Sequence, residues 1–109
     1  MTLTTASAQA LVPTEQASRY LQQLCKHWQH NLEVEFTPEN GTVIFPRDAR
    51  GADHPGDAVV TFNVAETGLA VRIDASSDEQ LKGLKGAVAR HLDRFAFREV
   101  PMSFDWRDL

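Results

Sequence analysis

The apolar positions of this chain change period twice. Ala17, Tyr20, Leu21, Leu24, Cys25 and Trp28 fall at spacings of three, four and seven, which lays one stripe along a helix. Thr14 stands where an N-cap belongs, Pro13 opens the domain, and the helix is predicted to end near His30 or Asn31. The period then drops to two. Val34 and Phe36 alternate with Glu33 and Glu35, and Val43 and Phe45 follow after Pro38-Glu39-Asn40-Gly41. Ala58, Val60, Phe62 and Val64 alternate in the same way, as do Leu69, Val71 and Ile73 beyond Ala65-Glu66-Thr67-Gly68. Each pair of runs, joined by a short turn-forming segment, reads as a hairpin. The polar stretch from Pro46 to Gly56 is predicted to be the longest loop.

A helical period returns with Leu81, Leu84, Val88, His91, Leu92 and Phe95, behind two overlapping capping boxes, Ser76 with Glu79 and Ser77 with Gln80. Gly83 and Gly86 each weaken that helix by about 1 kcal/mol relative to alanine, so they point to close packing against a neighbour. The elements predict an α+β two-layer sandwich in the order α-β-β-β-β-α: a four-stranded antiparallel sheet with an N-terminal and a C-terminal helix on one face. Residues 1–12 read as a flexible tail and 13–109 as a single domain. Ala96 to Leu109 is aromatic-rich, and Pro101 gives it an extended course.

Composition narrows the function classes. Hydrophobic residues make up 42% and charged residues 24% of the 109, as in ordinary globular domains rather than disordered or collagenous chains. Eleven Lys and Arg against fifteen Asp and Glu leave a net charge of −4, the wrong sign for a nucleic-acid partner. No apolar run approaches the ~20 residues that cross a bilayer, so no membrane span is expected. The N-terminus lacks the basic and apolar regions of a signal peptide, and Cys25, the one cysteine, cannot close an internal disulfide. Both fit a cytoplasmic protein.

The candidate chemistry lies in the histidines. His27 sits at the edge of the first helix's stripe, His30 about 60° further round, and His91 inside the stripe of the second helix. With the helices side by side, all three are placed to converge in the groove between them. Three neutral imidazoles with an open fourth position would suit Zn²⁺ or another divalent metal. Trp28 and Arg94 flank the same groove and complete a candidate ligand-binding set of His27, Trp28, His30, His91 and Arg94. A plainer reading competes, in which each imidazole bonds to a backbone carbonyl or a carboxylate and the aromatics only pack. Arg90, Arg94 and Arg98 likewise read as a solvated ridge, His54 as an exposed loop residue and Cys25 as a small core residue. No phosphate loop, nucleophile elbow or paired-carboxylate spacing marks an enzyme. Ile44, Val59 and Ala70 interrupt the polar side of the strands, which makes a homodimer plausible.

Two segments, Ala17-Ser18-Arg19-Tyr20-Leu21 through Leu24-Cys25-Lys26-His27-Trp28-Gln29-His30 and His91-Leu92-Asp93-Arg94-Phe95-Ala96-Phe97-Arg98-Glu99, resemble the small bacterial proteins grouped as domain of unknown function 2218. The resemblance runs over nearly all of the chain after the tail, and the Arg47-to-Gly56 loop is longer than in the usual member. It implies no established activity. Similar members occur joined to, or beside, siderophore-interacting flavin reductases, which implies a link to iron handling and such a reductase as a partner. Function belongs to sites rather than neighbourhoods.

Overall fold

The computed structural model describes residues 6–48, 53–95, 104 and 106–108. In chain order the elements are β1 (Ala6–Pro13), α1 (Ala17–Trp28), β2 (Glu33–Phe36), β3 (Asn40–Phe45), β4 (Ala58–Ala65), β5 (Gly68–Ala75), α2 (Asp78–Phe95) and β6 (Arg107–Asp108). The strands form one antiparallel sheet in the order β2-β3-β4-β5-β1-β6. Both predicted hairpins are present. The class is α+β as expected, but the sheet has six strands rather than four.

The largest correction concerns the segment read as a tail. Ala6–Pro13 pairs with β5 along its full length, from Ala6 opposite Ala75 to Pro13 opposite Gly68. Ala6, Ala8, Ala10 and Val12 turn inward and are buried. Alternation was there, but three of its four inward positions are alanines, so the hydrophobic contrast that marks a strand is faint. On its other side β1 holds β6, whose Asp108 meets Lys85 of α2 at 2.8 Å. Phe104 stacks on Trp106 at 5.7 Å beside this contact.

Helix boundaries also shift. The first helix stops at Trp28, before His30 and Asn31, and a turn follows in which Asn31 and Leu32 donate to the Trp28 carbonyl. Thr14 is not its N-cap: that place falls to Gln16, which makes no side-chain cap bond, while Thr14 Oγ1 accepts from the Gln16 N–H at 3.0 Å. The second helix starts as its capping pattern requires. Gln80 N–H donates to Ser77 Oγ at 3.1 Å.

One face of the sheet carries both helices and all of the core. Val43, Val60, Phe62, Leu69, Val71 and Ile73 pack against Leu21, Leu24, Cys25 and Trp28 of α1 and Leu81, Leu84, Val88 and Leu92 of α2. Gly41 lets α1 come close, because a Cβ there would lie 2.7 Å from Cys25 Sγ and 3.1 Å from Phe36 Cβ. No helix of the described residues is long and apolar enough to cross a membrane.

Candidate functional site

The last turn of α1 points Trp28 into the core, where its ring stacks on Phe62 at 6.0 Å and meets Phe45 edge-on at 5.4 Å. His91 of α2 meets the same indole at 5.1 Å with its ring tilted by 49°. Its Nδ1 is 2.7 Å from the Ala87 carbonyl. A carbonyl can only accept, so Nδ1 carries the hydrogen and Nε2 is left for another partner. This is the plain backbone-bonded arrangement set against metal binding in the sequence reading. His27 then packs on His91 at 5.2 Å and on Phe95 at 5.8 Å. The two helices therefore do bring His27, Trp28 and His91 together.

Electrostatics at this cluster favours the neutral form of His27. The His27 pKa is lowered from its ordinary value by desolvation first, then by the positive charges of His91, Arg94 and His30. His30 and Arg94 are themselves exposed. Among the described residues there is no group of three or more His, Cys, Asp or Glu able to hold a metal ion. The expected triad of His27, His30 and His91 is thus a ring pair with a third, exposed imidazole near it. Cys25 is fully buried, and burial pushes its thiol up to about 11, so it is a core thiol rather than a thiolate nucleophile.

A cleft of about 280 Å³, lined by His91 but not by His27, opens between α2, the end of β3 and the loop that follows it. Trp28, Phe45 and Pro46 form its apolar lining, while His54, Glu79, Gln80, Arg90 and His91 bring polar groups to it. Along α2 the cleft follows Glu79, Gly83, Ala87 and His91, a stripe at four-residue spacing with small residues in the middle. Gly83 was expected to pack closely. Instead a Cβ there would meet nothing within 4 Å, so the position opens onto the cleft. Gly86 makes room for a side chain of its own helix: a Cβ there would lie 2.9 Å from Arg90 Nη1. The Arg90 guanidinium is thereby laid back along α2, and among the described residues it has no carboxylate partner.

The loop is fixed at both ends of the cleft. Arg47 Nε donates to the His54 carbonyl at 3.0 Å, its guanidinium pairs with Asp53 at 2.7 Å, and His54 N–H donates to the Arg47 carbonyl at 3.0 Å. Gln80 closes the other side, accepting from Ser76 N–H at 2.7 Å and donating from Nε2 to the Gly56 carbonyl at 3.1 Å. His54, read as a solvent-exposed loop residue, is half-buried at the cleft. Arg90, read as part of a solvated ridge, lines it too; Arg98 of that ridge lies outside the described residues. Of the predicted set, Trp28 and His91 line the cleft, whereas His27, His30 and Arg94 do not. The glycines and alanine at helical spacing were the available signal for the trough, but only the fold shows which neighbour is missing there.

The sequence profile of domain of unknown function 2218, described as an uncharacterized protein conserved in bacteria, matches residues 9–107. The chain is also similar to a solved structure, the NMR structure of PA4090 from Pseudomonas aeruginosa. The two share 28% identity with a TM-score of 0.71, over 94% of this chain and 96% of that one. No curated protein matches the chain.

Proposed function

The chain belongs to the family of domain of unknown function 2218, and from that premise, which assigns no activity, we propose a non-catalytic binding protein that holds a small anionic ring-bearing molecule in the α2 cleft. The observation that carries this reading is the meeting of Arg90, His54 and His91 with an apolar lining of Trp28 and Phe45 in one concavity. Flat rings stack on indole and phenyl faces, and a guanidinium fork grips a carboxylate through two oxygens. Size sets the limit. At about 280 Å³ the cleft lies just below the roughly 300–1,000 Å³ usual for ligand pockets, so it suits one substituted ring and not a dinucleotide.

Polarity sets the orientation. Helical rise separates Glu79 from Arg90 by about 16 Å, giving the cleft an acidic end and a basic end. The anionic group belongs at Arg90, and a hydroxyl or amino donor faces Glu79 or the outward Nε2 acceptor of His91. The positive charge of Arg94 beside His27 works against a divalent cation at that histidine. A tie to iron handling is compatible with this site at the scale of one catecholate arm of a chelator, since a whole ferric chelate exceeds the volume.

Titration with salicylate, followed by histidine and indole NMR, tests the reading, with benzamidine as the ring of opposite charge. Saturable shifts at Trp28, His54 and His91 with salicylate alone are expected. Arg90→Gln should weaken binding by at least about tenfold, given the ~1.5–3 kcal/mol of a charged hydrogen bond. Gly83→Leu should fill the cleft and abolish binding while the protein stays folded, because the position faces open space. Equal responses to both rings, or salicylate binding that survives Gly83→Leu, would overturn it.

A further inference from the structure

The cleft contains a side chain whose hydrogen-bonding capacity is only partly used. Gln80 is 4% exposed and lines the cleft at the end where α2 begins. Its Oε1 lies 2.7 Å from the Ser76 backbone nitrogen and 2.6 Å from Ser76 Oγ. A backbone N–H can only donate, so the atom it meets is the amide oxygen, and the orientation of the Gln80 amide is fixed. Nε2 therefore carries two hydrogens, of which one goes to the Gly56 carbonyl at 3.1 Å. The other has no acceptor among the described residues. A buried N–H calls for one, and the cleft is the space in which a ligand can supply it.

The cationic end of the cleft stands closer to Gln80 than chain position suggests. Arg90 is folded back over Gly86, where a Cβ would lie 2.9 Å from its Nη1. Its guanidinium is thus near the level of Gly86, which helical rise puts about 9 Å along the axis from Gln80. We propose that Gln80 sets the specificity of the cleft, and that the ligand is an aromatic carboxylate with an oxygen para to the acid group, as in 4-hydroxybenzoate. This rests on the reading of the cleft as a site for a small anionic ring. In such a ring ordinary bond lengths put the carboxylate and the para oxygen about 6 Å apart. A hydrogen bond of about 2.9 Å at either end then spans the separation of Arg90 from Gln80. A phenol oxygen accepts from Gln80 Nε2–H while its own hydrogen goes to Glu79, which lines the same end. An ortho hydroxyl, roughly 3 Å from the acid group, stays at the Arg90 end and leaves the Gln80 donor unmet. A para methyl group sets carbon against that donor, and a site built to hydrogen-bond an oxygen discriminates against the analogue lacking it.

NMR titration of the full chain, labelled with nitrogen-15, tests this with probes of one charge: 4-hydroxybenzoate, 4-methylbenzoate and salicylate. The first should bind at least about tenfold more tightly than either of the others, because it alone satisfies the buried donor. One proton of the Gln80 side-chain amide should shift with 4-hydroxybenzoate and stay in place with 4-methylbenzoate. Gln80→Met, which keeps the bulk of the side chain, should erase the preference while 4-methylbenzoate still binds. If that variant unfolds because Ser76 loses its acceptor, the wild-type affinities and the amide shift decide the matter. A 4-methylbenzoate or salicylate affinity equal to that of 4-hydroxybenzoate, or an unmoved Gln80 amide, would overturn the proposal and leave the ring-binding reading standing. Failure of all these carboxylates to bind would overturn both.

Discussion

His27 is a surface residue whose chemistry is set by its neighbours. Burial against His91 and Phe95 opposes its protonation, and the positive charges of His91, Arg94 and His30 add to that. Its folded pKa lies below the ordinary 6.5, so below that pH the unfolded chain binds more protons than the folded one. The stability it contributes is complete above about pH 6.5 and is lost as pH falls through the lowered value. Urea unfolding between about pH 5 and pH 8 should show this decline, and His27→Gln should flatten it. An unchanged slope in the variant would mean that the ring is not desolvated by its partners. His91 illustrates a different constraint. Its bond to the Ala87 carbonyl fixes one nitrogen, so whatever contacts the ring from outside must use Nε2.

Element scale is where α2 departs from its own propensity. Its core face, Leu81, Leu84, Val88 and Leu92, is an ordinary amphipathic stripe. The adjoining stripe at Gly83 and Ala87 is not filled by any neighbour, and the capped N-terminus ties to Gly56 rather than leaving the loop loose. Gly83→Ala should raise stability by about 0.5–1 kcal/mol, since the helix gains propensity and the methyl meets open space. Thermal denaturation measures it. A loss of stability would mean that Gly83 is packed after all. The same periodicity that predicted α2 predicted α1 and four of the strands, because those segments carry large apolar side chains at regular intervals. The first strand escaped that test: alanine buries little area, and Ala6, Ala8 and Ala10 signal the strand only weakly.

For the whole molecule, β1 is the piece that covers the β5 edge and carries the sheet on to β6. It lies between β5 and β6, and its Ala8 and Val12 are fully buried in the core. Removing residues 1–13 should therefore cost more than about 3 kcal/mol, through lost burial and a bared β5 edge. The expected observation is a lost or strongly lowered cooperative unfolding transition with dye binding to exposed core. A truncated chain that unfolds at the same midpoint would show that β1 adds nothing to the fold. A six-stranded sheet with helices on one face also leaves the molecule with two unlike sides. One holds the cleft, and the other carries the outward row of Glu35, Thr42, Thr61, Arg72 and Gln9.

Periodicity by itself determined the two helices, both hairpins and the helix-bearing face, since each follows from spacing along one element or from the stripe it must bury, whereas the meeting of His27 with His91 required the two helices to pack side by side. Tertiary structure alone decided that Ala6–Pro13 is a strand, that His30 and Arg94 stay outside the cleft, and that His54 and Arg90 line it. A cleft is made by what is missing between elements far apart in sequence, and local spacing carries no record of an unfilled neighbour.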